Sequence, residues 1–88
     1  MKPWTAAKTF TVYELVNEKL REIYVGRTSD MIFTLTDPRN RAREIAHWNP
    51  ADVRPPRSIE FDLNERDAVF FIDGYVRTPL PEGWRFIK

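Results

Sequence analysis

Regular patterning begins at Lys8. From there to Leu15, Phe10, Val12 and Glu14 fall on one face and Thr9, Thr11, Tyr13 and Leu15 on the other. A two-residue period in a run rich in Thr, Phe, Val and Tyr predicts a β-strand. Val16 to Arg21 is polar enough for a hairpin connection, and Glu22 to Thr28 resumes the strand pattern. Met31, Phe33 and Leu35 then alternate, which predicts either a short extra strand or an extended segment lying over the core. Asp37-Pro38 has the chemistry of a helix start, an N-cap side chain followed by proline in the first turn. A helix is predicted from Pro38 to about Trp48, with Arg39, Arg43 and His47 along one face and Ala42, Ile45 and Ala46 along another. Asn49-Pro50 ends it.

Ala51 to Pro56 reads as a loop. Arg57 to Leu63 alternates again, Ile59, Phe61 and Leu63 against Ser58, Glu60 and Asp62, and predicts a half-buried strand. Asn64 and Asp67 have the spacing of a capping box, opening a second helix through about Val76. Ala68, Phe71, Ile72, Tyr75 and Val76 would face the sheet, with Val69 and Phe70 widening the apolar stripe so that the helix is well buried. Thr78-Pro79-Leu80-Pro81 reads as a rigid linker. Trp84 to Ile87 either adds a final short strand or packs as a tail. Strands precede helices rather than alternating with them, so the expectation is an α+β domain: a small three-stranded antiparallel sheet flanked by helices, in the order β-β-α-β-α. At 88 residues the chain has room for one domain, with residues 1–7 and 77–88 peripheral.

Composition narrows the function classes. The chain has no cysteine, which excludes disulfides and thiolate metal sites, and one histidine, which argues against an ordinary zinc site. No apolar run resembles a signal peptide or reaches membrane-spanning length, so the sequence predicts a soluble, cytoplasmic protein without a membrane partner. Net charge is +1, without the basic excess common in nucleic-acid binders. Local basicity does exist in Arg39, Arg41 and Arg43, with Arg27 upstream; it fits either a solvated helix face or a nucleic-acid patch. Gly26 at a strand end fits a bulge or sharp turn, or close approach of a ligand to the backbone. His47 is either a structural or surface residue or a phosphate and proton partner one turn from Arg43. Tyr13 and Tyr24 are either an aromatic pair across the hairpin or part of a site.

The paired elements Val12-Tyr13 and Tyr24-Val25-Gly26, with ten residues between the tyrosines, resemble the signature of the GIY-YIG nuclease superfamily. Arg43 resembles the arginine of that family's first helix, and Ile59 to Val76 resembles its third strand and following helix. The resemblance covers roughly residues 9–76. It implies a nuclease site that uses one divalent metal, Mg2+ or Mn2+. Tyr13 would then help activate the attacking water, Tyr24 would lie at the phosphate, and Arg43 would neutralise phosphoryl charge. Arg27, Arg39 and His47 are added as nucleic-acid-binding candidates. A phenol relays a proton well when nearby positive charge lowers its pKa, and a guanidinium matches charge that builds on phosphate oxygens. The chain departs from the pattern in having Thr11 for the first glycine and seventeen residues from Gly26 to Arg43. It also carries Ile72 where the family has its metal-binding glutamate. Isoleucine cannot ligate a hard cation, which takes oxygen ligands. Asp73 is adjacent but turned about 100° around the helix, and Glu60 and Glu65 are other carboxylates without the expected spacing. Two readings follow: a nuclease-like domain acting on DNA or RNA with rearranged metal ligation, or a non-catalytic derivative binding nucleic acid or a protein partner. The sequence does not determine oligomeric state.

Overall fold

The structure is a computed structural model that describes residues 9–30 and 42–87. The Met31–Leu35 segment, the Asp37-Pro38 helix start and Arg39 lie outside the described residues, as does the lead-in before Thr9.

The hairpin forms as the alternation predicts. Strand β1 (Phe10–Asn17) and strand β2 (Glu22–Thr28) pair antiparallel in unbroken register from Thr11 opposite Thr28 to Asn17 opposite Glu22. β1 runs two residues beyond the expected end because Asn17 itself makes the turn. Its Oδ1 accepts from the Leu20 amide at 3.0 Å, and Arg21 adopts a left-handed φ of 55° that sends the chain back.

Strand β3 (Arg57–Leu63) pairs antiparallel with the other edge of β1. Here strict alternation fails. Between Phe10 and Val12, β1 advances two residues while β3 moves three, from Leu63 to Glu60; between Val12 and Tyr13 it advances one while β3 moves two, to Ser58. Each extra residue resets which face the next side chain takes. Asp62 takes a left-handed φ of 57° within this stretch, and Phe61, expected in the core with Ile59 and Leu63, is 57% exposed.

Helix α1 (Glu65–Tyr75) starts where the capping pattern places it. The Asn64 side chain accepts from the Asp67 amide at 2.8 Å and donates to the Asp67 carboxylate at 3.1 Å. Ala68 is completely buried against Val12 and Val25, and Phe71, Ile72, Tyr75 and Val76 close around them. The buried stripe is narrower than predicted, since Val69 and Phe70 are 46% and 68% exposed. The linker then leads through a turn at Gly83, whose φ of 89° suits glycine, into strand β4 (Arg85–Ile87).

β4 lies parallel to β2, with Arg85 opposite Glu22 and Phe86 opposite Ile23. The sheet therefore has four strands in the order β3-β1-β2-β4 and is mixed, where the sequence predicts three antiparallel strands. The domain is α+β. The parallel pair is reached by the crossover that α1 makes from one edge of the sheet to the other, the long connection parallel strands require.

The predicted first helix is not an α-helix over its described part. Ala42 is extended (φ −60°, ψ 139°), which a helix begun at Pro38 cannot pass through. Arg43–Ile45 forms one 3-10 turn, its bonds running from Ile45 N to Ala42 O and from Ala46 N to Arg43 O. Pro50–Asp52 forms a second, capped by the Asn49 side chain. Ile45 and Trp48, three residues apart, are the buried positions of this segment, and the Trp48 amide donates to the Ile45 carbonyl at 3.0 Å. No helix among the described residues is long and apolar enough to cross a membrane.

Candidate functional site on the tyrosine face

Register and alternation assign the two faces of the sheet. Val12 and Val25 point toward α1, so their neighbours Tyr13, Leu15 and Asn17 on β1, with Glu22, Tyr24 and Gly26 on β2, occupy the opposite face. The two tyrosines thus share one face, as a common site requires. Their ring centroids are 6.3 Å apart at an interplanar angle of 57°.

Gly26 explains how the rings fit. It sits directly across from Tyr13, and a Cβ added there would lie 2.8 Å from both the Tyr13 Oη and a Tyr24 ring carbon. The β1–β2 register has no bulge at this point. The glycine is therefore a place of close approach for the two aromatic rings, rather than a bulge or a gap left for a ligand. Tyr13 is only 5% exposed, and Tyr24 is half-buried.

Burial sets the acidity of both phenols. The Tyr13 pKa is pushed up to about 12, first by burial and then by the neighbouring Tyr24. That of Tyr24 is raised by burial and by the Glu44 carboxylate, against a smaller opposing pull from Arg27. Both phenols are protonated at neutral pH.

The segment bearing Arg43 docks on this same face. Trp48 donates its indole N–H to Glu22 Oε1 at 2.9 Å, and His47 Nε2 lies 3.4 Å from that oxygen. Arg43 is exposed, and no hydrogen bond or ion pair links it to either phenol. Its neighbour Glu44 is the residue of this turn within electrostatic reach of Tyr24. Arg27 falls in phase with Val25 toward the helix side, where its guanidinium lies 3.8 Å from Glu65.

The metal candidates do not reach the tyrosines. Ile72 packs in the apolar cluster on the α1 side of the sheet. Asp73 is exposed and paired with Arg77 one turn on, at 3.2 Å. Glu60 accepts from the Phe61 amide at 3.1 Å, and Glu65 faces Arg27. Among the described residues no group of three or more His, Asp or Glu side chains is placed to hold a metal ion.

Two buried carboxylates stand out instead, and neither was singled out from the sequence. Glu14, 9% exposed on the helix face, accepts from Arg57 Nε at 2.7 Å and from the Tyr75 hydroxyl at 3.0 Å. Glu22, 2% exposed on the tyrosine face, accepts from Trp48 and His47 on one oxygen and from Arg85 on the other, with Arg85 Nε at 2.8 Å. Burial alone would raise the Glu22 pKa, but the bonds from Trp48, Arg85 and His47 outweigh it and hold the group below the ordinary 4.5. A signal for Glu14 was present, since it shares the phase of Phe10 and Val12. No local signal marks Glu22.

No family model, curated protein or solved structure matches the chain.

Proposed function

We propose that this chain is a GIY-YIG-like domain that binds nucleic acid through its tyrosine face without cleaving it by the family's metal-dependent route. The supporting observation is the docking of the Arg43–Trp48 segment, through Glu22, on the face that carries Tyr13 and Tyr24. That arrangement puts an exposed histidine against Glu22, two residues along β2 from Tyr24, on a turn that also carries the exposed Arg43. Guanidinium and imidazolium groups neutralise phosphates, and an aromatic face accepts a stacked base. Two facts count against cleavage by that route: Tyr13 is enclosed, and Ile72 packs on the far side of the sheet. The β1–β2 hairpin, β3 and α1 agree with the family's element order, while β4 and the 3-10 turns depart from it.

A second reading, metal-dependent phosphodiester cleavage with Mg2+ or Mn2+, draws on the contact between the two tyrosine rings. Anisotropy titrations with labelled DNA and RNA, run beside nicking of supercoiled plasmid in Mg2+ and in Mn2+, separate the two. Salt-sensitive binding that Arg43→Ala weakens, without nicking, supports the proposal. Nicking abolished by Tyr13→Phe and Arg43→Ala overturns it in favour of the nuclease. Neither activity leaves a protein partner as the better reading.

A further inference from the structure

We infer that Arg85 and His47 form a phosphate-binding subsite on the tyrosine face, built on the buried carboxylate of Glu22. The inference rests on the proposed nucleic-acid reading and adds to it a strand residue, Arg85, that the resemblance does not touch.

A depression of about 270 Å3 is lined by Glu22, His47, Arg85, Phe86 and Ile87. Glu22 forms its buried base and is fully engaged: Trp48 and His47 on Oε1, the Arg85 Nε and Nη2 on Oε2. Those bonds orient two otherwise mobile side chains. Arg85 holds its guanidinium by two donors while 74% of its side chain is exposed, and its Nη1 has no partner among the described residues. His47 is held at Nε2, which must donate because a carboxylate only accepts, while 57% of its side chain is exposed. A fork fixed beforehand loses less entropy on meeting an oxyanion than a free one does. Ile87, opposite Tyr24 on β2, gives the depression an apolar edge of the kind that suits a sugar or base next to a phosphate, while the Phe86 ring turns to the helix face against Tyr75.

Both exposed ends converge on the depression: Arg85 through Nη1, and His47 through the ring nitrogen not committed to Glu22, which donates to an oxyanion when the ring is an imidazolium.

Sulfate is the probe for the oxyanion, and a short oligonucleotide is the probe for a phosphodiester. Both are titrated by NMR. The expected result is sulfate-induced shifts at the His47 ring and Arg85 Nε. His47→Gln weakens binding on the order of tenfold. Arg85→Lys keeps the charge but loses the fork, and weakens binding without disturbing the Trp48 indole resonance. Equal sulfate affinity in wild type, His47→Gln and Arg85→Lys, or shifts confined to other residues, overturns the inference. Oligonucleotide binding that survives both substitutions but fails in Arg43→Ala overturns the subsite and leaves the proposed function standing. Sulfate binding at His47 and Arg85 in a protein that binds no oligonucleotide supports the subsite and overturns that function.

Discussion

The two faces of the sheet solve one problem differently. Each buries a glutamate, and each brings an arginine from an edge strand to neutralise it: Arg57 of β3 for Glu14, Arg85 of β4 for Glu22. On the helix face the remaining oxygen of Glu14 goes to Tyr75, a residue of α1 already held by apolar packing around Ala68. There the carboxylate adds to a contact that burial alone would maintain. On the tyrosine face Glu22 holds Trp48 and His47, which belong to a segment built of two short 3-10 turns. Such turns have weak internal hydrogen bonding and depend on external contacts. A buried carboxylate is thus accessory on one face and organising on the other.

The most severe test of the tyrosine face is Gly26→Val. With a Cβ already at 2.8 Å from both rings, the larger side chain must displace an aromatic ring, and overpacking of this kind costs about 3 kcal/mol. Chemical denaturation measures it, and a loss below about 0.5 kcal/mol would mean that the rings repack freely.

Glu22→Gln comes next. It leaves the Arg85 charge unpaired and weakens the bond from the buried Trp48 indole, for an expected loss of about 2 kcal/mol. Glu14→Gln, with its tyrosine held by packing, costs about 1 kcal/mol. Equal losses would erase the contrast between the faces. The Glu22 change also has a pH signature. Its folded pKa lies below the ordinary 4.5, so its contribution is complete at neutral pH and disappears as pH falls from about 4.5 through the lower folded value. Melting curves in that window are steeper in pH for wild type than for Glu22→Gln.

Asn64→Ala removes the α1 cap at a cost of about 1 kcal/mol by thermal melting, and its effect stays on the helix face without moving the Trp48 indole resonance. The smallest effect is expected for Phe70→Ser, within about 0.5 kcal/mol because the ring is 68% exposed.

What was legible in the sequence is what local chemistry determines. The tyrosine hairpin, the Asn64 cap and the α1 residues facing the sheet all follow from periods of two and 3.6 and from side chains reaching their own neighbours. The errors arise where the deciding partner is distant or the backbone departs from its period. Ala42 is extended, which turns an apparent α-helix into 3-10 turns, and two extra residues in β3 release Phe61 to solvent. The carboxylate networks join residues 43, 61 and 63 positions apart, distances over which periodicity carries no information. Of the candidate site, Tyr13 and Tyr24 come together as expected. The segment carrying Arg43 docks on their face through Trp48, Arg39 lies outside the described residues, Arg27 pairs with Glu65 while within electrostatic reach of Tyr24, and Asp73 pairs with Arg77 on the helix.

Mapping amide and side-chain shifts on titration with a short DNA or RNA duplex, and with a single strand, tests the central claim most directly. The account predicts saturable, salt-sensitive shifts concentrated at Tyr24, Arg43, His47 and Arg85, with Arg66, Asp73 and Arg77 of the helix side unmoved. Shifts concentrated on Arg66 and Arg77, or none on the tyrosine face with any of these ligands, would contradict it.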